Sequence, residues 1–413
     1  MIFSRASPHF RWFICGLLFY ATTVNYMDRT VLGILKPVIG RELHWTETQY
    51  GLINSAFQLG YALTMPIAGW LIDRFGIRIG YSAAALVWSL ASMSHAFAGS
   101  VLQFSAARLV LGLGEAANFP AAIKTVADWF ARGQRALATG ILNSGSNLGA
   151  IIAPLVVPFL ARRFGWHSGF LFTGSLSMSW TIVWFLIYRE PSKMFRSDAP
   201  HASVDHIPYR SLLKGRATWA VVLGKGLTDP VWYFYLFWLP GFLQTNYHVD
   251  LVNIGPPLVA IYLSADIGSI GGGWLSSALL NRGWPVERAR KGVMLIFAVC
   301  VLAVAFVPKT AGNLWATVML VSIAAASHQG WSANMYTIAS DCFPRSVVAS
   351  IIGLAGLFGA LGGMFAHTAI GIWLDFSKEA YGPLFVIAGL MYSVALLLIH
   401  ILMPRDRWTT GAA

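Results

Sequence analysis

Twelve apolar stretches, each long enough to cross a lipid bilayer, leave this chain room for little else. They lie near residues 10–35, 48–72, 77–97, 101–126, 135–160 and 169–188, and beyond a polar interval near 217–243, 255–280, 291–308, 312–338, 346–371 and 381–403. A spanning helix takes about 20 mostly apolar residues, so twelve consume about 240 and leave short loops. Of the 413 residues, 56% are hydrophobic and 11% charged, where soluble domains carry about 25% charge. The pattern predicts an all-α membrane protein with twelve transmembrane helices. It excludes a single-pass anchor joined to a soluble catalytic domain.

The net charge of +12 belongs to particular loops. An even number of spans puts both termini on one side, and that side collects 20 of the 29 lysines and arginines. The opposite loops hold Lys36, Arg41, Arg162, Arg163, Lys309 and Lys378. Because cytoplasmic loops are the basic ones, both termini are expected in the cytoplasm, and a nucleic-acid partner is not needed to explain the charge. Cys15, Cys300 and Cys342 are too few and too scattered for a disulfide framework or a zinc site. The first apolar segment contains Asp28 and Arg29 and no small-residue cleavage pattern. It is therefore expected to remain as the first span and not to act as a signal peptide.

Residues 189–216 form the longest polar stretch and divide the spans six and six. Their proline, serine and mixed charge mark a cytoplasmic linker between bundles at 1–188 and 217–413, the second with a short cytoplasmic tail. The halves also repeat weakly. Gly69 to Arg78 reads GWLIDRFGIR, and Gly273 to Gly283 reads GWLSSALLNRG. Internal repeats of this kind mark transporters built from related bundles. The first copy resembles the cytoplasmic loop motif of the major facilitator superfamily, with Gly69, Leu71, Asp73, Arg74, Gly76 and Arg78 in place as a gating motif. In the second, Ser277 stands where the first has Asp73, so a weaker charge latch is expected there. Gly145 and Gly149, and Gly353, Gly356, Gly359, Gly362 and Gly363, suit close helix approach.

Ionisable groups deep in a membrane are functional candidates by default. The spans place seven there: Asp28, Arg29, Arg108, Glu115, Lys225, Asp229 and Asp266. Arg108 and Glu115 are seven residues apart and share a helix face to within about 20°. Adjacent Asp28 and Arg29 point about 100° apart. An arginine fork suits a carboxylate through two parallel hydrogen bonds. A carboxylic acid buried beside an arginine answers to two opposed influences, desolvation and the cation. A substrate that engages the arginine would free the acid to take up a proton, a reciprocal coupling. Buried ion pairs of purely structural meaning are the competing reading.

In the second half, Lys225 and Asp229 stand at i,i+4, close enough to pair. Pro230 and Pro240 are expected to loosen the helix between them. Trp232, Tyr233, Tyr235 and Trp238 offer flat faces for a sugar ring, although aromatics in spans more often pack or form belts. Ser327 to Asn334, reading SHQGWSAN, is unusually polar, and His328, Gln329 and Asn334 can bond hydroxyls, carboxylates or neighbouring helices. A lone His367 in a glycine-rich span reads as structural. No nucleophile–base, metal-ligand or nucleotide-binding motif appears, so neither enzyme activity nor any cofactor or metal is expected.

Four stretches are similar to the anion:cation symporter branch of the major facilitator superfamily: NYMDR (Asn25 to Arg29), RLVLGLGEAANFPAA (Arg108 to Ala122), RALATGILNSGSNLGA (Arg135 to Ala150) and WYFYLFWLP (Trp232 to Pro240). Three more, LGKGLTDP (Leu223 to Pro230), DIGSIGGGWLSS (Asp266 to Ser277) and HQGWSAN (His328 to Asn334), most resemble hexuronate transporters. The resemblance implies two pseudo-symmetric six-helix bundles and a symporter that imports glucuronate or galacturonate with protons by alternating access. It implies Asp28 and Glu115 as proton-carrying acids, Arg29 and Arg108 as their basic partners, and Tyr61 as a substrate-facing tyrosine. Lys225 is assigned to the substrate carboxylate from its depth and charge. Asp229, Tyr233, His328, Gln329 and Asn334 complete the candidate substrate contacts. Gly226 and Gly241 depart from the pattern, standing where a bulkier and a basic residue are expected. Drug–proton antiporters of the superfamily carry a Gly-Pro motif in span five; here Ala150 follows Gly149. The expected partners are a sugar acid, protons and membrane lipid. The chain is expected to act as a monomer in a bacterial-type inner membrane. Another small organic anion (an aldonate, glucarate or an aromatic acid) is the alternative cargo, and a transporter-like receptor the alternative class.

Overall fold

The computed structural model describes residues 8–130, 132–189, 212–251, 253–310, 312–343, 345–378 and 380–404, and every regular element among them is helical. The α-helices are α1 Pro8–Glu42, α2 Glu47–Ser94, α3 Val101–Glu115, α4 Asn118–Trp129, α5 Arg132–Phe164, α6 His167–Ile187, α7 Arg216–Phe237, α8 Leu239–Tyr247, α9 Gly255–Asn281, α10 Val286–Val301, α11 Leu314–Cys342, α12 Arg345–Phe376 and α13 Gly382–Leu402. Short 3-10 turns cover His95–Phe97 and Leu302–Thr310. The chain forms two compact units: Met1–Trp45 with Leu52–Ala202, and Thr46–Gly51 with Ser203–Ala413. Most of the expected linker, residues 190–211, lies outside the described residues.

Six segments are long and apolar enough to cross a membrane by length and composition: Ala138–Phe164, His167–Ile187, Gly255–Asn281, Val286–Thr310, Ser350–Phe376 and Gly382–Leu402. The other expected spans map onto α1, α2, α3 with α4, α7 with α8, and α11, which are diluted by polar or charged side chains. Spans two and three, read as separate in the sequence, are two helices that meet at a kink at Gly76 within α2. That residue has φ 78 and ψ 156, a conformation open to glycine and strained for other residues. The fourth span breaks after Glu115, and α4 starts at Asn118. Pro230 does not break its helix. The break falls at Trp238, where Pro240 takes one of the first two positions of α8. A proline is tolerated there because the N–H it lacks has no intrahelical partner anyway.

In the first unit, α1 lies directly against α5. A Cβ at Gly149 would strike the Thr23 carbonyl, and one at Gly145 would meet the Phe19 carbonyl at 2.5 Å. Gly60 and Gly112 do the same for α2 and α3, whose backbones meet at the Leu109 and Phe57 carbonyls. This close approach, the usual purpose of small residues between membrane helices, sets the face carrying Arg108 and Glu115 against Phe57 and Tyr61. Trp88, Trp180, Trp184 and Tyr81 fill the space beside it with stacked and edge-on rings at centroid distances of 4.8–6.1 Å.

The second unit repeats the device. Gly268 and Gly272 bring α9 onto α11 at Ala326 and Gly330, and a Cβ at Gly362 of α12 would meet the Gly226 carbonyl of α7 at 2.5 Å. The glycine-rich run in α12 is therefore mainly a packing surface, although Gly353 has open space around it. This unit also takes in the first turn of α2, where the backbone N–H groups of Glu47 and Thr48 both donate to the Asp375 carboxylate at 2.8 Å. Cys15, Cys300 and Cys342 are free thiols.

Candidate functional site

The offset of about 100° between Asp28 and Arg29 sends them to different neighbours. Arg29, 5% exposed, donates from Nε to Glu115 Oε2 at 2.5 Å. Its guanidinium carbon lies 4.8 Å from the Tyr26 ring centre, 4.9 Å from Tyr61 and 5.5 Å from Phe57. Asp28 turns the other way, and the arginine whose charge acts on it is Arg108. The two Asp28 oxygens accept from Ser92 Oγ of α2 and Ser177 Oγ of α6, both at 2.6 Å. Arg108, fully buried, donates through both terminal nitrogens to the backbone oxygen of Arg29 at 3.4 Å. Of the two arginine–acid pairings implied by resemblance, Arg29 with Glu115 is a direct ion pair, and Arg108 acts on Asp28 through its charge. The second arginine supports the α1 backbone at that pair.

The Arg29–Glu115 contact is a single hydrogen bond where two planar groups could make two. Arg29 Nη2 and Glu115 Oε1 are buried and have no hydrogen-bond partner among the described residues. Both groups thus keep capacity to bond. Tyr61, expected to face substrate, is buried and forms part of the aromatic wall over Arg29.

In the second unit, Lys225 and Asp229 pair along one turn of α7, with Nζ 3.0 Å from Oδ2 and 3.1 Å from Oδ1. The ammonium also reaches Tyr336 of α11, 3.4 Å from its hydroxyl and 4.7 Å from the ring centre. Gly359 of α12 leaves the room that the Asp229 carboxylate occupies. His328 is buried: its ring stacks on Trp232 at 5.0 Å and 4°, and its Nδ1 bonds the Tyr392 hydroxyl at 2.5 Å. Asn334 donates to the Gly272 and Gly330 carbonyls at 3.2 and 2.9 Å, tying α9 to α11. Gln329 is half-buried, as is Tyr233, whose ring lies 6.3 Å from His367. His367 accepts from Trp238 Nε1 at 2.9 Å. Asp266, half-buried on α9, has neither hydrogen bond nor ion pair among the described residues.

Of the gating motif, Gly76 makes the break in α2, and Arg78 donates to the Phe185 carbonyl at 2.8 Å and covers its ring. Arg74 is exposed, Gly69 lies within α2, and the Asp73 side chain is outside what is described. Near the second copy, where a weaker latch is expected, an ion pair joins neighbouring helices. Arg290 of α10 binds Asp341 of α11 at 2.9 Å and Ser276 of α9 at 2.7 Å. Its acid comes from a neighbouring helix and not from the repeated motif.

Sequence reading missed Ser92, Ser177, Tyr336 and Tyr392. Serine and tyrosine are common in these spans, and their partners lie 64 to 149 residues away, so no local spacing singles them out.

Among known proteins, the Major Facilitator Superfamily matches residues 18–367. The chain is 29% identical over 405 residues to the hexuronate transporter of Escherichia coli (strain K12), covering 94% of this chain and 93% of that one. It is 25% identical over 425 residues to the D-galactonate transporter of Escherichia coli O6:H1 (strain CFT073), covering 96% of each. The solved structure of a D-xylose–proton symporter superposes with a TM-score of 0.74 over 97% of this chain and 99% of that one, at 15% identity, a likeness of fold.

Proposed function

The chain belongs to the Major Facilitator Superfamily, and from that premise we propose that it imports hexuronates, glucuronate or galacturonate, together with protons by alternating access. The observation that carries this reading is the half-made, fully buried Arg29–Glu115 pair. A sugar-acid carboxylate is the ligand best able to take the arginine's remaining donors, because the planar fork matches it in a bidentate fashion. Once the arginine turns to substrate, Glu115 is left as a buried acid without its cation, a costly arrangement for a charge. Proton uptake relieves it. Proton and substrate then travel together, since each favours the binding of the other. Asp28, hydrogen-bonded by Ser92 and Ser177, is the second acid of the same unit. The full-length similarity to a hexuronate transporter supports the choice of cargo.

Lys225 offers a second positive group for the anion, with Asp229 as its resting partner. The bias of basic residues to one side supports an inner-membrane location with both termini in the cytoplasm, and the chain is taken to act as a monomer. In reconstituted vesicles, an acid-outside pH gradient should drive accumulation of labelled glucuronate. Uptake indifferent to the gradient would overturn the symport reading. A second cargo, an aldonate, is favoured by the similarity to the D-galactonate transporter. Stronger competition by unlabelled galactonate than by unlabelled galacturonate in the same assay would select it.

A further inference from the structure

Two buried amides, on the helices that carry Arg29 and Tyr61, have no structural employment. Asn25 is 0% exposed and Gln58 is 1% exposed. Both side-chain oxygens and both side-chain nitrogens lack a hydrogen-bond partner among the described residues. Buried polar groups are normally satisfied, and an unmet amide in a dry interior is a standing cost. Neither residue caps a helix end, bridges two helices or supports a backbone carbonyl, as Asn334 does in the second unit.

Their positions are not random. Asn25 is one turn before Arg29 on α1. At 100° per residue it lies about 40° from Arg29 and about 60° from Asp28 around the helix axis, on the arc between the two charged side chains. Gln58 follows Phe57 on α2 and lies about 60° around the helix axis from Tyr61, and those two rings flank the Arg29 guanidinium at 5.5 and 4.9 Å. Side chains one turn apart are separated by about 5–6 Å, comparable with the width of one sugar ring. A carboxylate held at Arg29 would therefore present its ring substituents to these amides.

We propose that Asn25 and Gln58 are specificity-determining residues that hydrogen-bond the hydroxyl groups of a polyhydroxylated acid whose carboxylate Arg29 holds. This inference rests on the proposed sugar-acid transport. An amide is suited to the task because its oxygen accepts and its nitrogen donates, matching a hydroxyl that does both. A site with unmet amides also discriminates: an acid without hydroxyls leaves them unpaired and loses affinity. The amides thereby select sugar acids over simple carboxylates, which the arginine alone would accept.

The test uses the full chain and the variants Asn25→Leu and Gln58→Leu, with glucuronate and cyclohexanecarboxylate, a ring acid without hydroxyls, as probes. Leucine approximates the shape of either side chain and removes the unmet polar atoms. Each variant should therefore unfold at the same temperature as the unchanged protein or a higher one. Each should bind glucuronate about 3- to 10-fold more weakly, the effect of one hydrogen bond, with unchanged or tighter binding of cyclohexanecarboxylate. A structural role would give the reverse: lower thermal stability, with both acids affected alike. That result, failure of both variants to fold, or an unchanged ratio of the two affinities would overturn the inference. Failure of the unchanged protein to bind any sugar acid would overturn the transport reading and this inference with it.

Discussion

The two units each bury an ion pair, and they bury it differently. In the first unit the pair joins two helices, Arg29 of α1 to Glu115 of α3, 86 residues apart in sequence. In the second it lies within one helix, Lys225 to Asp229, four residues apart on α7. A pair between helices responds to any shift of one helix against the other. A pair within one turn travels with its helix and keeps its length. The first is therefore the better switch and the second the better fixed docking point. The surroundings agree: Glu115 is completely buried and half-bonded, whereas both Asp229 oxygens face the Lys225 ammonium and its side chain is 15% exposed.

The comparison can be broken most severely at Arg29. Arg29→Ala strands Glu115 in the interior, and removing one partner of a buried pair costs about 3–5 kcal/mol. Thermal unfolding should fall accordingly and glucuronate uptake should disappear. Removing Glu115 as well should restore stability but not uptake. A stable Arg29→Ala protein with normal affinity would refute the assignment. The same operation in the second unit should be milder. Lys225→Met removes a charged hydrogen-bond donor worth about 1.5–3 kcal/mol, which should appear as roughly a 10- to 100-fold rise in KM in counterflow. Stability should drop less than for Arg29→Ala, because the stranded Asp229 side chain is 15% exposed and Glu115 is 0% exposed. A larger stability loss than at Arg29 would invert the comparison. The smallest effect is expected of Tyr336→Phe, which loses one long hydrogen bond of 3.4 Å but keeps the ring beneath the ammonium. About a 2- to 3-fold change in KM is anticipated, at the low end for a single hydrogen bond.

These contrasts were only partly legible beforehand. Hydropathy located the spans, because burial in lipid demands long apolar runs whatever the tertiary detail. The pairing of Lys225 with Asp229 was readable because it is local, a matter of i,i+4 spacing. The partner of Glu115 was readable only as one of two arginines, since spacing fixes the face of a helix and not the neighbour opposite. The serines that hold Asp28 carry no such signal, and neither does the pairing of Arg290 with Asp341 from another helix. Pro230 and Pro240 marked the interval in which the helix loosens, and within it the break falls at Trp238, just before Pro240. The unmatched amides of Asn25 and Gln58 became visible only when burial and bonding could be read together.

The claim on which the account turns is that Glu115 exchanges its arginine for a proton when substrate arrives. The direct measurement is a paired flux assay on Glu115→Gln in vesicles: gradient-driven accumulation of labelled glucuronate, and exchange of labelled for unlabelled glucuronate without a gradient. Glutamine keeps the shape and a hydrogen-bond acceptor for Arg29 but carries no titrating proton. The account predicts that accumulation is lost while exchange persists. Equal loss of both, or accumulation that survives the substitution, would contradict it.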